Sequence, residues 1–197
     1  MMRFFLPIYF LVAMLTLVAY RSLRLRQQTG ASALAFTRDD PLDGYIAKVF
    51  LLTELAVMVS IAAYAIGGDF YSALAPVEWV AHPAAQWTAG GVLVLALIWT
   101  MIAQAQMGAS WRIGIDREHQ TDLVTHGVFR FSRNPIFLAM RVSLLSFFFC
   151  TPNAVSLATA LVGNALLQVQ VRLEEKHLEA LHGDSYRRYK SMVRRWL

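Results

Sequence analysis

Apolar residues fall along this chain in long, almost uncharged blocks, not in the one-sided stripe of a soluble helix. Residues 4–20, 46–66, 90–107 and 153–171 are four such blocks. A helix needs roughly 20 apolar residues, and about 17 at the lower limit, to cross a hydrocarbon core about 30 Å thick. Each block therefore predicts a membrane span. Residues 136–151 form a fifth, shorter block that contains Arg141. Thr151, Pro152 and Asn153 then make a tight turn, so the fourth and fifth spans read as a helical hairpin. Its short first arm is tilted or partly shielded by protein. A non-helical arm facing lipid is disfavoured, because each unpaired backbone group in hydrocarbon costs several kcal/mol. The expected fold is all-α: a polytopic membrane protein of about five transmembrane helices with a helical hairpin, a cytoplasmic loop and a C-terminal helix.

Basic residues assign the two sides. Arg21, Arg24, Arg26 and Arg38 lie between the first two spans; Arg112, Arg117, Arg130 and Arg133 precede the hairpin. Arg172, Lys176, Arg187, Arg188, Lys190, Arg194 and Arg195 follow the last span. Residues 67–89 and the hairpin tip carry none; only Arg3 opposes the pattern. Positive-inside reasoning puts the C-terminus in the cytoplasm and the N-terminus outside, as five crossings require. The N-terminal block runs straight into arginines without a small-residue cleavage motif, so it reads as a retained span. Tyr71, Trp79 and Trp87 read as interfacial anchors.

Composition agrees. Of 197 residues, 57% are hydrophobic and 16% charged, against about half and about a quarter in an ordinary soluble domain. The net charge of +5 would suggest nucleic acid in a soluble protein. Here the cations flank spans, so the lipid bilayer is the expected partner and nucleic acid is not. The compact chain points to a prokaryotic inner membrane. The lone Cys150 reads as structural. His119, His126, His177 and His182 have no metal-site spacing, so no metal is expected. Glu54 and Arg141 lie inside spans and read either as functional groups or as interhelical pairs.

Chemistry concentrates at the cytoplasmic side. Asn134 followed by Pro135 is a helix start: Asn is a strong cap, and Pro suits the first helical position. The same helix N-terminus, with Arg133 beside it, would also suit a carboxylate. Glu174 and Glu175 follow the last span and point about 100° apart on a helix. They form a solvated face, or else hold an ammonium or a ribose. Gly183, Asp184 and Ser185 read as a helix stop and a new cap. Tyr186, Tyr189, Val193 and Trp196 then make a helical stripe, which suits a membrane-surface helix or a lid.

The string Leu123-Val-Thr-x-Gly127-x-Phe129-x-x-x-Arg133-Asn-Pro-x-Phe137, a hairpin, then Glu174-Glu175-x-x-Leu178 and Gly183-x-x-Tyr186-x-x-Tyr189, resembles the isoprenylcysteine carboxyl methyltransferases. It also resembles the wider membrane methyltransferase group that includes phospholipid N-methyltransferases. The resemblance covers residues 107–197, which make the family core after three N-terminal spans in 1–106; the whole, 1–197, reads as one domain. It implies S-adenosyl-L-methionine as cofactor, with Thr121, Asp122, Leu123 and Val124 lining its pocket. Phe129 stands at a family Tyr, and Asn134, Pro135 and Phe137 match a His-Pro-x-Tyr segment. Glu174 would bind the cofactor, with Glu175 close behind. Asn134 can donate a hydrogen bond but cannot act as a general base. A substrate-side Arg of the family falls at Gln170, with Arg172 two residues on. Arg133 and Arg172 are the candidate catalytic side chains. The implied acceptor is a lipophilic small molecule or a prenylated or other lipid. A phospholipid N-methyltransferase, a non-catalytic membrane scaffold and a small transporter are the alternatives.

Overall fold

A computed structural model describes residues 1–30, 33, 41–114 and 121–197. Arg38, Arg117 and His119 lie outside the described residues. Helix α1 (Met2–Ala13) continues through a π-helical stretch (Met14–Tyr20) into α2 (Arg21–Thr29), giving one continuous rod, apolar to Tyr20 and basic beyond it, that ends at Gly30 with a left-handed φ of 72°. Next come α3 (Pro41–Ile66), the short α4 (Gly68–Ser72) and α5 (Pro83–Met107). The hairpin is α6 (Pro135–Cys150) and α7 (Ala154–His182), and α8 (Asp184–Met192) follows. Pro opens α3, α5 and α6, where its missing N–H has no helical partner to lose.

Four helices are long and apolar enough to cross a membrane, and α6 is a fifth, shorter apolar helix of 16 residues. Packing shows that they traverse the bundle alternately. Met2 and Leu6 of α1 meet Ile61 of α3, Ala89 and Leu93 of α5, and Phe147 and Cys150 of α6. At the other end Leu25 of α2 and Ala33 cluster with Trp111, against Met107 and Ile136. Phe4, Leu11, Leu52, Leu95 and Leu161 face outward, as lipid-facing side chains must. Gly163 lets α6 and α7 approach: a Cβ there would stand 2.7 Å from Leu144 Cδ1.

Two expectations are refined. The apolar block over 153–171 is part of a longer helix that runs to His182 and ends at the expected Gly183 stop. At 1.5 Å per residue its 29 residues reach about 43 Å, well past a 30 Å core. The charged end beginning at Arg172 therefore projects beyond the span. The short arm α6 is shielded at its tip by the chain before α5. Val77 N–H donates to the Pro152 carbonyl at 2.9 Å, and Ala154 N–H donates to that of Leu74 at 3.0 Å. Tyr71, expected as an interfacial anchor, instead donates its hydroxyl to Pro152 O at 3.1 Å and ties the tip down. Trp79 is 88% exposed.

The intramembrane charges differ from each other. Arg141 is paired, through Nε to Asn164 Oδ1 at 2.7 Å and over the Trp196 ring at 4.3 Å. Glu54 is half-buried on α3 and has no hydrogen-bond partner among the described residues. Cys150 is fully buried.

Candidate active site

The loop before α6 is built around Gly127. Its φ is +61°, and a Cβ would meet the Gln106 side chain at 2.2–2.3 Å. No L side chain fits there. The close approach lets Gln106 Oε1 accept the Val128 N–H at 2.9 Å. That bond anchors a 3-10 turn (Gly127–Arg130) against the end of α5. Val128 and Phe129 are buried in it, packed with Ala103 and Val124.

From this turn the chain enters Ser132, Arg133 and Asn134, where the charge gathers. Glu175, on the projecting end of α7, is buried. Its carboxylate accepts from Arg133 Nη2 at 3.0 Å, from Arg195 Nη2 at 2.7 Å and from Asn134 Nδ2 at 3.1 Å. Burial alone would push this carboxyl up. The hydrogen bonds and charges of Arg195 and Arg133 outweigh it and hold Glu175 below the usual carboxylate range.

This geometry corrects the expected role of Asn134. Its side chain does not cap α6. The buried carboxylate is a stronger, charged acceptor and draws the amide away. The backbone N–H of Asn134 goes to Ser132 Oγ at 3.1 Å instead, and α6 starts on the pre-set φ of Pro135.

The C-terminal segment closes over the same point. Helix α8 ends at Met192, with Val193 extended, so Val193 and Trp196 do not continue the helical stripe. Arg133 N–H donates to Arg194 O at 3.0 Å, and Ser132 Oγ donates to Arg195 O at 3.1 Å. Arg133 Nη1 reaches the Val193 carbonyl. Tyr189 is buried and its hydroxyl donates to Phe129 O at 2.6 Å. Of the two expectations for this stretch, buried Tyr186 and Tyr189 match a lid folded onto the loop.

Arg133, Asn134 and Glu175 thus come together, joined by Arg195, Ser132 and Tyr189, which the sequence did not single out as a site. Nothing in the local pattern marks Arg195, since its contact spans a turn at Gly183. The tyrosine spacing was the one available signal. Thr121, Asp122, Leu123 and Val124 sit apart from the acids: Asp122 N–H donates to Ser110 Oγ at 3.2 Å, and Val124 packs on the 3-10 turn. Pro135 is buried and its carbonyl accepts from Trp99 Nε1 at 3.0 Å; Phe137 is half-buried.

Glu174 makes no ion pair or hydrogen bond among the described residues, though its charge is felt by Glu175 and Tyr186. It keeps some exposed surface, yet burial first and then the Glu175 charge push its carboxyl up to about 7. The same two carboxylates act on the buried Tyr186 phenol. Tyr186 Oη and Arg133 Nε are buried; the Tyr186 hydroxyl lies against the Arg133 guanidinium, and neither atom has another hydrogen-bond partner among the described residues. A cavity of about 390 Å³ opens on the Glu175 and Arg195 side of the cluster, lined by Arg172, Glu175, Lys176, Glu179, Arg187 and Arg195 among others; Glu174, Tyr186 and Arg133 are not in its lining. That volume suits a drug-sized ligand. Among the described residues no group of three or more His, Cys, Asp or Glu side chains is placed to hold a metal.

The family model described as phospholipid methyltransferase matches residues 84–185, from the start of α5 to the start of α8. An uncharacterized protein of Haemophilus influenzae is 60% identical over 30 residues, a stretch covering 15% of this chain and 48% of that protein. The chain thus spans about half the length of this curated relative. No solved structure matches.

Proposed function

The chain belongs to the phospholipid methyltransferase family, and from that premise we propose that it transfers a methyl group from S-adenosyl-L-methionine to a lipophilic acceptor at the membrane. The observation that carries this reading is the pairing of unspent polar capacity with an unpaired acid. Glu174 stands unpaired among the described residues near Tyr186, whose buried hydroxyl and the buried Arg133 Nε have only each other as neighbours to satisfy them.

The residues fit the cofactor. Its α-carboxylate suits the cationic cavity wall of Arg172, Lys176, Arg187 and Arg195, where Glu175 and Glu179 are outnumbered. Its cationic centre or ribose hydroxyls suit Glu174, which ionises when a cation approaches. When bound, S-adenosyl-L-methionine supplies an electrophilic methyl on a sulfonium. The chain's own contribution is then position and dryness. Arg133 and Arg195 fix Glu175, the C-terminal segment covers the loop, and α6–α7 present the acceptor from the bilayer. Asn134 has no basic nitrogen, so it orients and takes no proton. Thr121, Asp122, Leu123, Val124, Phe129, Pro135 and Phe137 belong to this reading as the cofactor contacts the family resemblance implies, and none of them lines the cavity. The family match favours a phospholipid acceptor over a prenylcysteine carboxylate. With Arg141 paired to Asn164 and Trp196, a polar path through the bundle has little support, which disfavours a transporter.

The test supplies methyl-labelled S-adenosyl-L-methionine to membranes containing the protein and extracts the lipids. Label should enter the lipid fraction with the wild type and fall at least tenfold with Glu174→Gln. No transfer by the wild type to any extractable lipid would overturn the proposal.

A further inference from the structure

Arg141 is a cation placed inside the membrane arm of the hairpin, and it forms no ion pair with an acid among the described residues. Its Nε donates to the neutral Asn164 Oδ1 at 2.7 Å, and its guanidinium lies 4.3 Å from the centroid of the Trp196 ring. One edge and one face of the planar group are thereby fixed. The remaining edge, the Nη1–Nη2 fork, has no hydrogen-bond or ion-pair partner among the described residues. Those nitrogens are also absent from the buried, unpartnered polar atoms, so they reach open surface. A charged group inside a span with only neutral partners is costly to keep there. A fork held flat and left open is the arrangement by which Arg grips phosphate or carboxylate through two parallel hydrogen bonds.

Its position relates it to the candidate active site. Arg141 lies seven residues after Asn134 on α6, which returns it to nearly the same face two turns deeper, roughly 10 Å toward the membrane interior. The Trp196 that covers it belongs to the C-terminal segment tied to Ser132 and Arg133. A lipid entering beside α6 would meet the Arg141 fork and the Asn134–Glu175 cluster along one line.

We propose that Arg141 is a specificity residue that binds an oxyanion, phosphate or carboxylate, of an amphipathic lipid acceptor. The atom to be methylated then lies within roughly 10 Å of that oxyanion. This inference rests on the methyltransferase reading and names the charge its acceptor carries.

Lipid binding can be tested apart from catalysis. Detergent-solubilised wild type, Arg141→Gln and Arg141→Lys are titrated with dioleoylphosphatidate, oleate and dioleoylglycerol, and binding is followed by native mass spectrometry. The wild type should bind at least one anionic lipid tenfold or more tightly than dioleoylglycerol. Arg141→Gln should shrink that preference to within twofold. Arg141→Lys keeps the charge without the fork, so it should retain the fold and still lose at least threefold. Equal preference in wild type and both variants, or no preference in the wild type, overturns the proposal. Displacement of the lipid by millimolar inorganic phosphate would make a free anion the ligand and overturn the lipid assignment. S-adenosyl-L-methionine affinity is measured on the same samples and should not change in Arg141→Gln. Its absence in the wild type would sink the methyltransferase reading while leaving the lipid result standing.

Discussion

The two ends of the α6–α7 hairpin treat their polar groups in opposite ways. At the tip every group is spent on its neighbours. Asn153 Oδ1 accepts from Ser156 N–H at 2.8 Å, and Asn153 N–H donates to Ser156 Oγ at 3.2 Å, a closed capping box. Asn153 Nδ2 and Ser156 Oγ both donate to the Thr151 carbonyl, at 2.9 and 2.6 Å. All three residues are fully buried and uncharged. At the open end, charge replaces neutrality and the groups are not all used: Glu175 is saturated, the buried Tyr186 hydroxyl and Arg133 Nε have no partner beyond each other, and Glu174 stands unpaired among the described residues. Saturation marks a joint; surplus marks a place that can hold a ligand.

The comparison is broken most severely at Glu175. Glu175→Ala leaves the buried Arg133 guanidinium without its counter-ion, and such a loss typically costs about 3–5 kcal/mol. Thermal unfolding in detergent should show it as the largest destabilisation of the set. A loss under about 1 kcal/mol would mean that the buried pair is not formed.

At the tip, Asn153→Ala removes the capping box and should cost about 1–2 kcal/mol. Because the tip is only a joint, cofactor affinity of the folded protein should stay unchanged. An affinity loss as large as that of a variant at the open end would erase the distinction between the two ends.

Asn134 gives the smallest and most discriminating stability effect. Glu175 keeps two arginines in Asn134→Ala, so stability should fall by only about 1 kcal/mol. Asn134→His restores a donor and should bind cofactor better than Asn134→Ala. Equal cofactor affinity in wild type, Ala and His would limit Asn134 to a structural contact.

How far each end was legible in the sequence follows from the same contrast. The spans, the hairpin and the turn at Thr151, Pro152 and Asn153 are local: block length, a Pro and an Asn suffice to read them. Gly183 likewise announces the end of α7, and its φ of +53° gives the reason. The run of α7 past Val171 to His182 follows from the same stop, since a helix needs no hydrophobicity once it has left the membrane. The site was half legible. Arg133, Asn134 and Glu175 could be picked out, but the cap expected of Asn134 fails because a carboxylate 41 residues away competes for its amide. Arg195 was invisible for the same reason: its bond to Glu175 exists only after the chain turns back at Gly183.

The central claim is that the open end binds S-adenosyl-L-methionine and that Glu174 is the acid left free to meet it. In the folded protein Glu174 holds its proton from its usual value of 4.5 up to about 7. The folded state thus binds more protons than the unfolded one in that window. Stability from this group is complete below 4.5 and is lost as pH rises toward 7. Cation binding works against the same proton, so cofactor affinity should rise between pH 6 and 8. Calorimetric titration of the detergent-solubilised protein with S-adenosyl-L-methionine at both pH values, on wild type and Glu174→Gln, reads this directly. Saturable binding should strengthen with pH in the wild type, and Glu174→Gln should bind about tenfold more weakly with that dependence gone. No saturable binding by the wild type, or the same affinity and pH profile in both proteins, would contradict the account.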